Sequence, residues 1–232
     1  EIIRAASTRE YTVPQLESEL DIPKASFNRL IKCLTDNEFI SVRPGSRKLE
    51  LGDEAIFRAM EYYENSIPYR LGYRSVHNLS ERWGVTFVIH EFCEPYRIYW
   101  RVKQVPPGGI HTRPTGFYME FFNSCAQGQL FLAQWSNEKV KRYFDTGTIK
   151  TGEFNITTYD EILPRLKEIR SQGYAYQERE NSPFMKQIAV PLQLRGDNGN
   201  FCLTCYMPLD YAEVDKLRDN MLYEAARISG IE

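Results

Sequence analysis

The sequence predicts an α+β fold, and two observations along its 232 residues support that prediction. Helical periodicity and turn residues alternate over the first fifty residues. From residue 85 onward, β-rich runs joined by hairpin signals are interspersed with helical segments. This arrangement favours a mostly antiparallel sheet. Hydrophobic residues make up 42% of the chain and aromatic residues 13%, which is enough to build folded cores.

Residues 13–51 have the pattern of a winged helix-turn-helix: a short helix, a tight turn, a longer helix and a two-stranded basic tip. The turn covers residues 19–24. Pro23 is expected as the first residue of the longer helix, because the missing N–H of proline costs nothing there. An i, i+3, i+4, i+7 stripe then predicts an amphipathic helix. Its core face is expected from Phe27, Leu30, Ile31 and Leu34.

The outward face of that longer helix is basic. At about 100° per residue, Ala25, Arg29 and Lys32 point away from the apolar stripe and Asn28 lies on its flank. Arginine and asparagine each make paired hydrogen bonds to base edges in a major groove, so we predict that Arg29 and Asn28 contact bases. Phosphate contacts are predicted for the neighbouring side chains of Lys24, Ser26 and Lys32.

A basic hairpin is predicted after the helix. Two short β-like runs, residues 40–43 and 48–51, flank a turn cluster at residues 44–47. Six basic and two acidic side chains between residues 22 and 48 give a local charge of +4, although the whole chain carries −2. A basic end on an acidic remainder is expected of a DNA-binding unit joined to a domain with another task. We therefore predict phosphate contacts from Arg43, Arg47 and Lys48.

The remaining residues predict a connecting helix and a larger domain. Thr158 opens a capping box and Gly173 is a helix stop, while Pro164 is expected to kink the intervening helix or delay its start. Helices are predicted over residues 53–66, 69–83, 124–135, 158–173 and 211–228, and strands over 85–92, 96–102, 187–193 and 200–207, the last two joined by a turn at 195–199.

Four segments together resemble the IclR family of bacterial transcription regulators. Residues 21–30 resemble its turn and recognition helix, and residues 124–133 resemble its small-residue stretch ending in Gly-x-x-x-Leu-Ala. Residues 170–175 resemble its Arg-x-x-Gly-Tyr motif, and residues 188–191 its Ile-Ala-x-Pro strand. The order and spacing match over essentially the whole chain.

The resemblance implies a winged-helix domain at residues 1–52, a linker helix at 53–67, and a GAF-like effector-binding and oligomerisation domain at 68–232. It also implies a homodimer or homotetramer on a palindromic operator of double-stranded DNA, controlled by a small organic ligand. The positions that match the ligand site of the family are Ser124, Cys125, Ala126, Gln127, Gln177, Gln187, Thr204 and Tyr206.

Several of these positions depart from the common pattern of the family. Gln177 stands where an acidic residue is frequent, and Gln187 where cysteine is frequent. Thr204 and Tyr206 stand where two serines are usual. These departures leave the identity of the effector open.

The residues themselves favour an aromatic or otherwise bulky organic acid. Thr204 and Tyr206 are two apart on a strand and therefore share a face, as polar groups converging on a cavity require. Arg113 is a candidate clamp for a carboxylate. A helix beginning near residues 124–127 would also favour an anion. Aromatic walls are expected from Tyr118, Phe121 and Phe122.

The sequence gives no positive sign of catalysis, and we expect no catalytic residue, metal or cofactor. Cys202 and Cys205 form a CxxC, but they lie in a β-run where residues three apart face opposite ways. His90 is predicted to be partly exposed structure, and His111 is a candidate for the cavity wall. Cys125, at a helix start, is a candidate low-pKa thiol with no base beside it.

Localisation is predicted to be cytoplasmic, with no membrane partner. The sequence has no run of 18 apolar residues and no secretory signal, and its five cysteines are expected to be reduced thiols. We also expect that residues precede Glu1 in the natural protein. Two alternatives to a ligand-responsive DNA-binding regulator stay open. They are an enzyme with an appended winged helix and a winged-helix module for protein contacts.

Overall fold

The computed structural model describes residues 1–8, 10–147, 149–152, 155–178, 184–194 and 200–230. The chain divides into two compact units, residues 1–65 and residues 66–232. The helix that follows the basic hairpin therefore belongs to the N-terminal unit.

Helices and one β-hairpin form the described part of the N-terminal unit. In chain order they are α1 (Ile2–Thr8), α2 (Val13–Glu19), α3 (Lys24–Asp36), β1 (Ile40–Val42), β2 (Leu49–Leu51) and α4 (Asp53–Asn65). Thr12 opens α2 with a capping box, exchanging hydrogen bonds with Gln15. Leu16, Phe27, Ile40 and Leu49 are among the buried residues of the core that joins these elements.

Two expectations about α3 are wrong. Pro23 is the residue before the helix rather than its first residue, and its carbonyl accepts hydrogen bonds from the backbone N–H groups of Ser26 and Phe27. Leu30 does not face the core, since 45% of it is exposed. Phe27 is fully buried and Ile31 and Leu34 pack against the same core. The buried stripe is therefore narrower than predicted, and Leu30 lies at its edge.

The hairpin after α3 lies where the sequence predicts it. β1 and β2 pair antiparallel, with Ile40 opposite Leu51 and Val42 opposite Leu49. Arg47 in the turn has a φ of +55°, in the left-handed region that non-glycine residues rarely adopt. Arg47 thus lies in the turn between β1 and β2.

The C-terminal unit is built on a six-stranded antiparallel sheet with the strand order β5-β4-β3-β8-β7-β6. Its described elements are α5 (Ile67–Trp83), β3 (Thr86–Cys93), β4 (Arg97–Gln104), β5 (Tyr118–Met119), α6 (Ala126–Gln134), α7 (Asn137–Thr146), α8 (Tyr159–Gln172), β6 (Ala175–Glu178), β7 (Met185–Leu192), β8 (Asn200–Pro208) and α9 (Val214–Ser229). The predicted α+β class with an antiparallel sheet is confirmed for this unit.

The two faces of this sheet carry separate cores. Val76 of α5 and Met221 of α9 pack with Phe87 on one face. Phe131 of α6 and Leu166 of α8 pack with Ala189 on the other face. The face with α6 is the one that carries the polar residues described below.

A β-bulge changes which side chains of β4 reach that face. Ile89 pairs with Val102, whereas the next residue of β3, His90, pairs with Trp100. Arg101 is therefore the extra residue on β4, and the alternation of the strand shifts there. As a result His90 and Trp100 lie side by side on the α6 face, with their ring centroids 4.6 Å apart.

Other details of the C-terminal unit differ from the sequence prediction. The capping box at Thr158 is present and Gly173 ends α8 with a φ of +81°, but α8 starts directly at Tyr159 and continues through Pro164, so a delayed start is wrong. α7 was not predicted, although Ser136 supplies a side-chain N-cap for it. The turn predicted at 195–199 lies outside the described residues. Among the described helices, none has the length and apolar character that a membrane crossing requires.

Candidate functional site

The basic surface of the N-terminal unit is centred on α3 and the hairpin. Asn28, Arg29 and Lys32 are exposed on α3, as the predicted outward face requires. Arg47 and Lys48 are exposed at the hairpin. Among the described residues, the structure gives the side chains of Arg29, Lys32, Arg47 and Lys48 no hydrogen bond or ion pair. Their charges are therefore available to an anionic partner.

Three other residues that are predicted to contact DNA are either paired with a carboxylate or half-buried. The ammonium group of Lys24 lies 3.2 Å from a carboxylate oxygen of Glu17, although 78% of the lysine side chain is exposed. The guanidinium of Arg43 lies 2.7 Å from the carboxylate of Glu50. Ser26 is half-buried. Lys24 and Arg43 would have to leave or share their carboxylate partners to contact phosphate.

The C-terminal unit contains a cavity of about 460 Å³ on the α6 face of the sheet. The segment between β4 and β5 forms one side of it, and the first turn of α6 forms another. Its apolar and aromatic walls are Trp100, Phe117, Met119, Phe121 and Met185, and its polar lining residues are His111, Thr112, Arg113, Ser124, Gln127, Lys150 and Tyr206. Its described lining residues include two cationic side chains and no carboxylate.

The segment between β4 and β5 is fixed at several points. The Thr86 hydroxyl donates a hydrogen bond to the carbonyl of Ile110 at 2.7 Å, and the Lys103 ammonium donates one to the carbonyl of Arg113 at 3.2 Å. The guanidinium of Arg113 lies over the ring of Phe117, 5.0 Å from its centroid. Arg113 is thus held at the cavity wall by its backbone and by a cation–π contact.

A chain of buried hydrogen bonds lies behind the cavity wall. The side-chain amide of Gln127 donates to the hydroxyl of Tyr206 at 3.2 Å, and that hydroxyl lies 3.2 Å from Nε2 of His90. Nδ1 of His90 lies 3.1 Å from the hydroxyl of Thr204. Burial lowers the pKa of His90 to about 3, so the imidazole is neutral. The expectation that His90 is partly exposed is wrong, since none of it is exposed.

Two polar atoms in the cavity walls have no hydrogen-bond partner among the described residues. They are the indole N–H of Trp100 and the side-chain carbonyl of Gln127, and both are buried. Buried polar groups are normally paired, so these two unpaired atoms are exceptional among the residues of the cavity wall. Both amide atoms of Gln177, on β6, are likewise buried without a partner.

The predicted ligand-site residues divide into those that line the cavity and those behind it. Arg113, Ser124, Gln127 and Tyr206 line it. Buried but not in the lining are Cys125, Ala126, Gln177, Gln187 and Thr204. The side-chain carbonyl oxygen of Gln187 accepts a hydrogen bond from the backbone N–H of Ala126 at 3.4 Å, so the first backbone N–H of α6 has a partner inside the protein.

Two of the aromatic residues that were predicted to line the cavity lie outside its lining. Tyr118 does not line the cavity: it is 40% exposed, with Tyr99 beside it and the guanidinium of Arg97 over its ring. Neighbouring residues of a strand face opposite ways, so it is the next residue, Met119, that lines the cavity. Phe122 is fully buried in the core with Trp135. Phe121 lines the cavity as predicted, and so does His111.

Several cavity residues were not found by sequence reasoning. Trp100, Phe117 and Met185 come from strands or loops far apart in the chain, and the bulge at Arg101 sets the face of Trp100. Lys150 follows α7, which the sequence did not predict. The available signal was the alternation of β4, which places Ile98 and Trp100 inward.

Three of the five cysteines, Cys125, Cys202 and Cys205, are buried. Cys202 and Cys205 pack in the cores on opposite faces of the sheet, as predicted. A low pKa for Cys125 is wrong: burial raises it to about 12. All five cysteines are free thiols. No group of three metal-ligating side chains is present in the described part of the chain.

Comparison with known proteins relates the chain to one family. Residues 114–227 match the family described as "Bacterial transcriptional regulator IclR C-terminal". No curated protein is significantly similar to the chain in sequence.

Solved structures share the fold over almost the whole chain. An IclR transcriptional regulator from Alicyclobacillus acidocaldarius has a TM-score of 0.83 at 23% identity, covering 99% of this chain and 94% of that one. The Thermotoga maritima IclR has a TM-score of 0.76 at 16% identity, covering 99% and 95%. An IclR homologue from Microbacterium hydrocarbonoxydans, complexed with 4-hydroxybenzoate, has a TM-score of 0.78 at 15% identity, covering 99% and 95%.

Proposed function

The chain belongs to the IclR family of bacterial transcriptional regulators, and from that premise we propose that it is a ligand-responsive DNA-binding regulator. In this proposal residues 1–52 form a winged helix-turn-helix, residues 53–67 form a linker helix, and residues 68–232 form the domain that binds an effector and oligomerises. The DNA is a palindromic operator, and the effector is a small organic acid.

DNA binding is supported by the arrangement of basic residues on α3 and the hairpin. Arg29 and Asn28 are exposed on one face of a helix that follows a tight turn, a geometry suited to a major groove. Arg47 and Lys48 at the hairpin would contact the phosphate backbone beside that groove. Lys24, Ser26, Lys32 and Arg43 would add phosphate contacts around these two elements.

The composition of the cavity wall carries the proposal of an acid ligand. Arg113 and Lys150 line the cavity with Trp100, Phe117 and Phe121, and none of its described lining residues is acidic. Cationic groups beside aromatic walls favour a flat molecule with a carboxylate. The Microbacterium homologue is complexed with 4-hydroxybenzoate, a molecule of this class, which makes that compound the first probe.

Control by the acid would act through populations of the protein rather than through chemistry. A homodimer or homotetramer presents two DNA-reading heads whose spacing must match a palindrome. An acid that binds one arrangement of the heads more tightly than another increases the population of that arrangement. The shift in free energy cannot exceed the difference between its binding free energies for the two arrangements. In chain order α4 lies between the hairpin and the C-terminal unit, and it would carry that change.

The test of this function is selection of genomic fragments by the purified protein, followed by sequencing. We expect enrichment of a palindromic site, loss of that enrichment in Arg29→Ala, and a changed affinity when 4-hydroxybenzoate or a related acid is added.

Arg113→Gln is expected to weaken the acid response at least tenfold while DNA binding stays intact. The control is Arg142→Gln, at an exposed arginine of α7, which should leave the acid response unchanged. Equal enrichment by the parent and Arg29→Ala would contradict DNA reading by α3. Turnover of the acid would favour an enzyme instead.

A further inference from the structure

His90 bridges two residues of β8 with its two ring nitrogens. Nδ1 lies 3.1 Å from the hydroxyl of Thr204, and Nε2 lies 3.2 Å from the hydroxyl of Tyr206. The amide of Gln127 donates to that same Tyr206 hydroxyl at 3.2 Å. Tyr206 and Gln127 line the cavity, whereas His90 and Thr204 lie behind it. A continuous chain of hydrogen bonds therefore runs from Thr204 to the cavity wall.

A neutral imidazole carries one N–H, so this chain has two arrangements. In the first, Nδ1–H donates to Thr204, and Nε2 accepts the hydroxyl hydrogen of Tyr206. In the second, Thr204 donates to Nδ1, and Nε2–H donates to the oxygen of Tyr206. The proton count is the same in both, and each hydrogen bond between His90 and its neighbours is kept with its direction reversed.

The two arrangements present different groups to the cavity. In the first, the hydrogen of Tyr206 is used inside the protein, and no donor is left on that hydroxyl. In the second, the oxygen of Tyr206 accepts from both His90 and Gln127, so its hydrogen is free to donate to a ligand. Without a ligand the first arrangement is favoured, because the hydrogen of Thr204 then has the sulfur of Cys202 as a weak acceptor, whereas in the second the hydrogen of Tyr206 has no acceptor among the described residues. A ligand oxygen that accepts from Tyr206 favours the second.

The residues packed around the ring of His90 hold it between Thr204 and Tyr206. Trp100 packs against it at 77° with the centroids 4.6 Å apart, and the same tryptophan lines the cavity. Beyond Thr204, the next neighbour of its hydroxyl is the sulfur of Cys202 at 3.7 Å, a weak hydrogen-bond partner. The Thr204 hydroxyl can therefore reverse its direction at little cost.

We propose that His90 is a positioning residue of the ligand site, and that its tautomer determines whether Tyr206 donates a hydrogen bond into the cavity. An acid effector then accepts that hydrogen bond with a carboxylate oxygen while His90 is in the Nε2–H form. This inference rests on the proposed function for the identity of the ligand. The hydrogen-bond chain that it describes exists without the ligand and can be tested without it.

The test uses the full chain labelled with ¹⁵N-histidine, and reads the tautomer of His90 from its two ring-nitrogen shifts. Single His77→Gln and His111→Gln variants identify the other two histidine signals. Tyr206→Phe removes the partner of Nε2 and is expected to place the proton on Nδ1. Thr204→Val removes the partner of Nδ1 and is expected to place it on Nε2. Thr204→Ser keeps the hydroxyl and should keep the tautomer of the parent.

Opposite tautomers in Tyr206→Phe and Thr204→Val support the proposal. The same tautomer in both, or a charged imidazole at pH 7, overturns it. If Thr204→Val does not give a cooperative unfolding transition, Thr204→Ala makes the same change with a smaller side chain. The ligand-free parent, expected in the Nδ1–H form, provides a measurement that needs no variant.

The ligand part of the proposal is tested with benzoate as the probe. Saturating benzoate is expected to move His90 of the parent to the Nε2–H form, and Tyr206→Phe should bind benzoate at least tenfold more weakly than Thr204→Val. Benzoate that binds the parent without moving His90 contradicts the coupling between tautomer and ligand. Failure of the parent to bind any tested aromatic acid counts against the proposed effector class. The tautomers of the ligand-free parent and variants test the hydrogen-bond chain independently of that result.

Discussion

The hydroxyl of Tyr143 accepts a hydrogen bond from the backbone N–H of Phe122 at 2.9 Å and donates one to the carbonyl of Glu120 at 3.3 Å. Tyr143 is fully buried on α7, and its two partners lie in the segment that leads from β5 into α6. The same segment contributes Phe121 and Ser124 to the cavity. One tyrosine thus fixes the backbone from which part of the cavity wall is built.

Removing that hydroxyl should destabilise the C-terminal unit. Tyr143→Phe leaves the buried N–H of Phe122 without its partner, and an orphaned buried donor costs about 1–3 kcal/mol. The free energy of unfolding in urea measures the loss. Tyr223→Phe, at a residue that is 58% exposed, is the matched control and should unfold like the parent. Equal midpoints for Tyr143→Phe and the parent would show that the hydrogen bond contributes nothing.

Local sequence signals located most of the helices and strands. Thr158 and Gly173 bound α8 as their capping chemistry predicts, and the basic turn cluster at residues 44–47 lies between β1 and β2. The errors arose where neighbours in space decide the outcome. Leu30 has a helical position next to the core, but the core cluster of this unit does not extend to it.

The candidate site was harder to predict than the fold because it depends on register. Tyr206 and Gln127 were reached through resemblance to a family, but the role of His90 depends on its pairing with Trp100 across a bulge. A one-residue shift in β4 would have placed Trp100 on the other face. Tyr118 was misplaced for the same reason, since only the alternation in β5 decides whether it or Met119 faces the cavity.

The proposed base contacts of α3 predict a large loss of operator binding when Arg29 is removed. Arg29→Ala is expected to weaken binding to the operator by about 1–3 kcal/mol and to relax specificity at the contacted base pair. Arg58→Ala is the control, because Arg58 is an exposed arginine of α4 that pairs with Glu54 and Glu61. Fluorescence anisotropy with operator and scrambled duplexes measures both effects. An equal effect of the two substitutions would contradict base reading by Arg29.

The proposed phosphate contacts of the hairpin predict a different effect of substitution. Lys48→Ala should weaken binding to every duplex by a similar factor and reduce the slope of log affinity against log salt by about 1. The reason is that each neutralised phosphate releases a counterion on binding. Titrations over a series of salt concentrations give the slope. A loss confined to the operator sequence would show that Lys48 does not act through phosphate.

Thiol labelling should separate the cysteines by burial. Thiolate is the reactive form, and burial raises the pKa of Cys125 to about 12 and that of Cys205 to about 12. Cys202 is also fully buried with a raised pKa. At pH 8 a thiol reagent should therefore modify the exposed Cys33 first and the half-buried Cys93 more slowly. Mass spectrometry identifies the labelled positions, and denaturant should expose all five. Rapid native labelling of Cys125 would contradict its burial.

Acid should destabilise the C-terminal unit through His90. Burial lowers its pKa in the folded protein to about 3, whereas an unfolded histidine has its ordinary pKa of 6.5. Between these values the unfolded chain binds a proton at His90 that the folded protein does not, so stability falls as the pH falls below 6.5. By pH 5 this single group should remove about 2 kcal/mol of the stability present at neutral pH.

The free energy of unfolding, measured from pH 7 to pH 5, should therefore fall more steeply for the parent than for His90→Gln. His77→Gln, at an exposed histidine, should follow the parent. Parallel pH profiles for His90→Gln and the parent would mean that His90 binds protons equally in both states, and a neutral buried imidazole would then be excluded.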